Sequence, residues 1–241
     1  MGRAHEVRKV AMQRTSLLKS KLYSKFGKEI YMAAKTGGPD PDSNLALKRV
    51  IDRAKQSQVP ADVIKRNIEK SKGGAGEDYF PVRYEGFGPG GSTLIVECLT
   101  DNINRTFGDV RNCFTKTGCK LGLANSVLYM YQFASLLSVS GIDEESALEA
   151  IVVAEVDIED IESEEDIVTI IGAPQDLDKI KDALVATGRE LEFLVDKVTY
   201  IPSEYVDLDV DDMDKFQRFL EMTDALDDVK EVFHNVNLPQ E

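Results

Sequence analysis

Residues 84–106 read YEGFGPGGSTLIVECLTDNINRT. Gly86, Gly88 and Gly91 fall at a G-x-G-x-x-G spacing. In a dinucleotide-binding unit that pattern follows a strand and opens a helix whose N-terminal amides meet the pyrophosphate. The residues after the glycines do not supply that context. STLIVECL, 92–99, is dense in β-formers and too short for a typical helix, and Pro89 removes an amide from any phosphate cradle. No Gly-Lys-Ser/Thr follows, so the P-loop pattern is absent as well. The glycines are therefore read as a tight turn between a strand at 80–85 and a strand at 92–99. This makes the segment the hairpin of an antiparallel sheet, and the rest of the chain is placed around it.

Downstream, Asn102 or Asn104 caps a helix of about 104–117 with Phe107, Val110 and Phe114 as its inner stripe, and SVLYMYQF, 126–133, reads as a strand. Residues 134–201 then give strand, helix, strand, strand, helix, strand, the ferredoxin-like order. A helix at 210–224 and a strand at 229–236 are left over, and they are expected to join the sheet begun by the 92–99 strand. Upstream, three amphipathic helices at 16–36, 44–57 and from Pro60 to Gly73 read as a small bundle, with the second capped by Asp42 or Ser43. The fold class is thus α+β: an N-terminal helical bundle domain followed by two ferredoxin-like or related α/β domains, one inserted in the other. The expected domains are 1–78, basic and helical; 79–133 plus 204–241, discontinuous; and 134–203, the acidic insert.

The net charge of −14 conceals an uneven distribution. Residues 1–78 hold 17 Lys and Arg against 9 Asp and Glu, whereas residues 134–241 hold 7 against 30. A basic module joined to an acidic one points to a polyanionic partner for the first, with nucleic acid the leading class. On a wheel of the first helix, Leu18, Leu22, Phe26, Ile30 and Ala33 share one arc, while Lys21, Lys25, Lys28 and Lys35 fall opposite. Glu29 is the sole acid in 16–36, unlike the mixed signs of an ordinary solvated face. The residues expected to contact phosphates are Arg8, Lys9, Arg14, Lys21, Lys25, Lys28, Lys48, Arg49, Arg53, Lys65 and Arg66, with Arg105 and Arg111 extending the surface.

Catalytic signatures are missing from the sequence. His5 and His234 stand at opposite ends, there is no G-x-S-x-G elbow, and EVDIEDIESEED, 155–166, lacks the glycine and spacing of a calcium loop. Cys98, Cys113 and Cys119 are odd in number, without C-x-x-C spacing, and read as reduced structural thiols. No apolar run approaches the ~20 residues of a membrane span, and the first residues lack the apolar core of a secretory signal. The expectation is a cytoplasmic protein without cofactor, metal or reaction.

Several segments carry a resemblance. AAKTGGPDPDSNLALKRVIDRAKQSQVPADVIKRNIEK, YEGFGPGG, LTDNINRT, VRNCF and DDVKEVFHN resemble the YebC/PmpR family, and the GFGPGG form with KFGKEIYMAAK is most similar to its YeeN-like branch. The resemblance implies a three-domain α/β protein with a helical N-terminal domain. It implies a regulator of gene expression, either a DNA-binding transcription factor or a translational activator associated with ribosomal RNA and the ribosome. A protein partner for the acidic domain is compatible with both. Where the family opens on a GHSKW-like basic segment, this chain has Gly2-Arg3-Ala4-His5-Glu6, so any contact made there rests on Arg8, Lys9 and Arg14.

Overall fold

The computed structural model describes residues 19–73 and 79–238, with side chains of the first helix from Leu22 onward. The chain forms two compact units. One comprises 17–129 and 205–236; the other contains 130–204.

The first unit begins with α1 (Lys19–Gly37), α2 (Leu45–Gln56) and α3 (Ala61–Lys72). Apolar residues at helical spacing make one core among them: Phe26, Ile30 and Ala34 from α1, Leu47, Ile51 and Ala54 from α2, and Ile64 from α3. The turn between α1 and α2 is organised by Asn44, not by Asp42 or Ser43. Its side-chain oxygen accepts from the Leu47 amide at 3.1 Å, and its amide donates to the carbonyls of Ala33 (2.9 Å) and Gly38 (2.8 Å). One buried side chain therefore caps the start of α2 and the end of α1.

The same unit contains a four-stranded antiparallel sheet. β1 (Phe80–Phe87) and β2 (Thr93–Thr100) form the hairpin, in register from Phe80↔Thr100 to Phe87↔Thr93. The turn is closed by Gly88 N–H donating to Ser92 O at 2.8 Å, with Gly90 and Gly91 in the left-handed region at φ 61° and 77°. α4 (Ile103–Lys116) follows, capped by Asn102, whose side chain accepts from the Arg105 amide. The short β3 (Lys120–Leu121) adds to β1, while α7 (Val210–Asp224) and β8 (Val229–His234) close the unit, giving the order β3-β1-β2-β8. α4 and α7 pack together on one face through Phe114 and Phe219, whose ring centres are 4.8 Å apart. His234 is buried in this core, edge-on to Phe216, and its Nδ1 accepts from the Val236 amide.

Two sequence expectations are corrected here. The 126–133 segment is not a strand of the first sheet. Residues 122–128 loop over Glu85, whose carboxylate accepts the amides of Asn125, Val127 and Leu128 at 2.9, 3.0 and 3.0 Å. Burial alone would raise this carboxyl; the three amides and Arg83 outweigh it and hold it below its ordinary value. Phe107 is not an inner residue either. It is 42% exposed and leans on Tyr84, because the Asn102 cap sets the helix so that Thr106 and Val110 face inward.

The second unit has β4 (Tyr131–Ser140), α5 (Glu144–Val153), β5 (Ile158–Glu164), β6 (Ile167–Gly172), α6 (Leu177–Val185) and β7 (Glu192–Pro202). Its sheet order β5-β6-β4-β7, all antiparallel, with both helices packed on one apolar core, is ferredoxin-like. Asp143 caps α5, as its position before an acidic first turn predicts.

Candidate nucleic-acid interface

The helical layer holds the cations that the sequence singles out, and the structure divides them into two groups. Lys25 is only 7% exposed and lies 3.9 Å from Asp224. Lys28 donates to Asp228 at 2.8 Å and to the Asp227 carbonyl at 3.0 Å, and its ammonium stands 5.5 Å from the Tyr79 ring centre. Arg53 pairs with Glu29 at 2.6 Å and stacks toward Phe26. Lys25 and Lys28 therefore meet the 224–228 turn of the same unit instead of facing open solvent, while Lys35 is exposed. The sequence wheel missed this because a helix buried on two sides has the same apolar stripe as one buried on a single side.

The second group lies on the outer faces of α2 and α3. Lys48, Lys65 and Arg66 are exposed and make no ion pair among the described residues, while Arg49 is half-buried. On α4, Arg111 is exposed in the same way. Arg8, Lys9 and Arg14, and the Lys21 side chain, lie outside the described residues.

Arg105 belongs with the paired group. Its Nη2 donates to Asp101 and to Asp228, each at 2.6 Å. The Oδ2 oxygen of Asp228 also accepts the hydroxyls of Thr106 (2.8 Å) and Thr100 (3.0 Å), while its Oδ1 takes Lys28. Burial alone would raise the Asp228 carboxyl; the hydrogen bonds from Arg105, Lys28 and Thr106 overcome it and hold the group well below the usual carboxylate range. The TDNINRT segment thus has an internal role. Thr100, Arg105 and Thr106 grip Asp228, and Asn102 caps the helix that presents them. The spacing in the sequence contains this signal, but the partner lies more than 120 positions away, beyond the reach of local pattern.

A cleft of about 530 Å³ separates the helices from the sheet, with Glu29, Arg53, Arg83, Glu97, Cys98 and Lys230 among its walls. Its charges alternate in sign: Arg53 faces Glu29, Arg83 faces Glu85, and Lys230 stands 3.9 Å from Glu97. Burial pushes the Cys98 thiol up to about 12, which leaves it un-ionised at neutral pH. Among the described residues no group of three or more His, Cys, Asp or Glu side chains is arranged to hold a metal ion, and no helix is long and apolar enough to cross a membrane.

These elements have counterparts in known proteins. A family model for the TACO1/YebC protein N-terminal domain matches residues 3–74, and the model for the TACO1/YebC second and third domain matches residues 79–236. The chain belongs to the TACO1/YebC family. A relative from Marinobacter nauticus, named a probable transcriptional regulatory protein, is 51% identical over 241 residues, the whole of both chains. One from Alcanivorax borkumensis with the same name is 49% identical over 99% of this chain and 100% of its own. The crystal structure of a conserved hypothetical protein from Aquifex aeolicus superposes with a TM-score of 0.77 at 32% identity, covering 94% of this chain and 93% of that one. The TACO1/YebC assignment spans the helical layer, the hairpin sheet and the ferredoxin-like insert together.

Proposed function

We propose that this chain is a regulator of gene expression that binds nucleic acid, DNA in the leading reading, through the phosphates. The contact is made by the basic helical domain, residues 1–78. The observation that carries the reading is the second cation group. Lys48, Lys65 and Arg66 stand exposed, without ion-pair partners among the described residues, in a segment with 17 bases and 9 acids. Arg49 and Arg111 extend that surface, and Lys25, Lys28, Arg53 and Arg105, held in internal pairs, support the frame. The relatives' name, probable transcriptional regulatory protein, agrees with this reading. Phosphate contacts would supply affinity with little sequence information, so target choice rests elsewhere.

The test is a salt titration of binding to duplex DNA by the native chain and by a variant with Lys48, Lys65 and Arg66 changed to Glu. Each phosphate contact adds about −0.9 to the slope of log K against log salt. Loss of three contacts should flatten that slope by about 2–3. An unchanged slope refutes the interface. Crosslinking in cells followed by sequencing identifies the nucleic acid: promoter DNA supports the proposal, whereas ribosomal RNA recovered at one place replaces it with a translational role.

A further inference from the structure

The ferredoxin-like insert carries an unpartnered groove. α5 and α6 lie side by side on the sheet, with Ala147 and Ile151 of α5 and Ile180 and Leu184 of α6 turned into the core. On their outer side they leave a depression of about 580 Å³, walled by Ala150, Val153, Ala154, Ala183 and Ala186, with Glu149 and the Asp143-paired Arg189 also among its walls. A surface helix normally turns polar residues outward. Here Val153 is 78% exposed at the groove, and Val152 and Val185 on the flanking crests are 64% and 54% exposed. The small alanine floor lets another backbone approach closely, and the valines offer it apolar area.

The surrounding charge selects the occupant. Residues 134–203 hold 18 Asp and Glu against 4 Lys and Arg. All of those cations are engaged, among them Lys179 with Asp176, Lys181 with Asp196 and Arg189 with Asp143. Glu149 lines the groove, and Glu145 and Asp182 stand four positions from the lining residues Glu149 and Ala186 on their helices; all three are exposed, with no ion pair among the described residues. A nucleic acid would be repelled by this face, and so would a second copy presenting the same face. We propose that the α5–α6 groove is a docking site for a cationic amphipathic helix of a partner protein. The helix lays its apolar stripe on the alanine floor and its lysines or arginines against Glu145, Glu149 and Asp182. α5 is 10 residues long, about 15 Å, so the groove engages roughly three turns of such a helix.

The probe is a labelled synthetic helical peptide of about 15 residues with a leucine stripe and a lysine face, titrated against the full chain by fluorescence anisotropy. Two control peptides replace the leucines by glutamine at the same charge, or the lysines by glutamate. The protein variant is Val153→Lys with Ala186→Lys; both positions are exposed, and circular dichroism checks that the fold is kept. The parent peptide should bind with hydrogen-exchange protection confined to α5 and α6. Either control peptide, or the double variant, should weaken binding at least about tenfold. Equal binding by the glutamine peptide would reduce the effect to bare charge attraction and overturn the proposal. Undiminished binding to the variant would also overturn it, as would concentration-dependent self-association abolished by Val153→Lys, which would make a second copy the occupant.

Discussion

Changing Asp228 to Ala tests the central joint of the first unit. The carboxylate is 11% exposed and is held by Lys28, Arg105, Thr100 and Thr106 at 2.6–3.0 Å. Its removal leaves the Lys28 ammonium, which is 15% exposed, with the Asp227 carbonyl but no counter-charge, and takes the shared acceptor from the Thr100 and Thr106 hydroxyls, 2.7 Å apart, which keep each other and the Asn102 backbone as partners. Breaking one side of a buried pair costs about 3–5 kcal/mol. Arg105 is 47% exposed and regains water, so the lower end applies, about 3 kcal/mol. For a unit of this size that lowers the midpoint of thermal unfolding by about 6–12 °C. Calorimetry and urea unfolding followed by circular dichroism measure it. The pH dependence has a definite sign. Asp228 has its folded-state carboxyl depressed, so its contribution is complete above the unfolded value of about 4 and is lost as pH falls below it. The stability gap between native and Asp228→Ala chains should stay flat from pH 8 to about 5 and shrink below about 4. A gap under about 1 kcal/mol at pH 7, or one that widens in acid, would refute the account of this joint.

Other expectations follow from single sites. Gly86→Ala should destabilise the chain by about 2–3 kcal/mol in urea unfolding. An added Cβ would lie 2.4 Å from Phe114 and 2.5 Å from the Lys120 carbonyl, which cannot retreat without opening β3 from β1. The three thiols, all buried and raised by that burial, should react with a disulfide reagent at pH 8 only as fast as the fold opens. A rapid burst of one equivalent from the native chain would contradict their placement.

Much of this architecture is written in local pattern. The glycine turn, the caps at Asn102 and Asp143 and the 210–224 helix are legible because each depends on residues a few positions apart. The 126–133 segment misled because its β-rich composition is equally suited to a loop anchored by Glu85, a residue 40 positions earlier. The candidate interface was half legible for a similar reason. Charge asymmetry marks the helical region as basic, but only the three-dimensional structure shows that Lys25 and Lys28 turn toward Asp224 and Asp228 while Lys48, Lys65 and Arg66 do not. Charge reversal along α1 would therefore perturb stability as well as any binding, and variants on α2 and α3 are the cleaner probes.

The insert leaves and rejoins the first unit through neighbouring strands. Tyr131 pairs with Pro202, and the Ser203 amide donates to the Met130 carbonyl at 2.9 Å. This has a consequence for the order of folding. Before β4 and β7 meet, residues 205–236 are tethered to 17–129 by a flexible stretch of about 75 residues, and closing such a loop costs about 4 kcal/mol in chain entropy. Once the insert is folded its two ends are adjacent, and the tether is effectively a few residues long. The ferredoxin-like unit thus acts as a clasp that must shut early for β8 to find β2 quickly. Leu137→Ala, which weakens the clasp from within its own core, should slow the β2–β8 pairing seen by pulsed hydrogen exchange, although it touches neither strand.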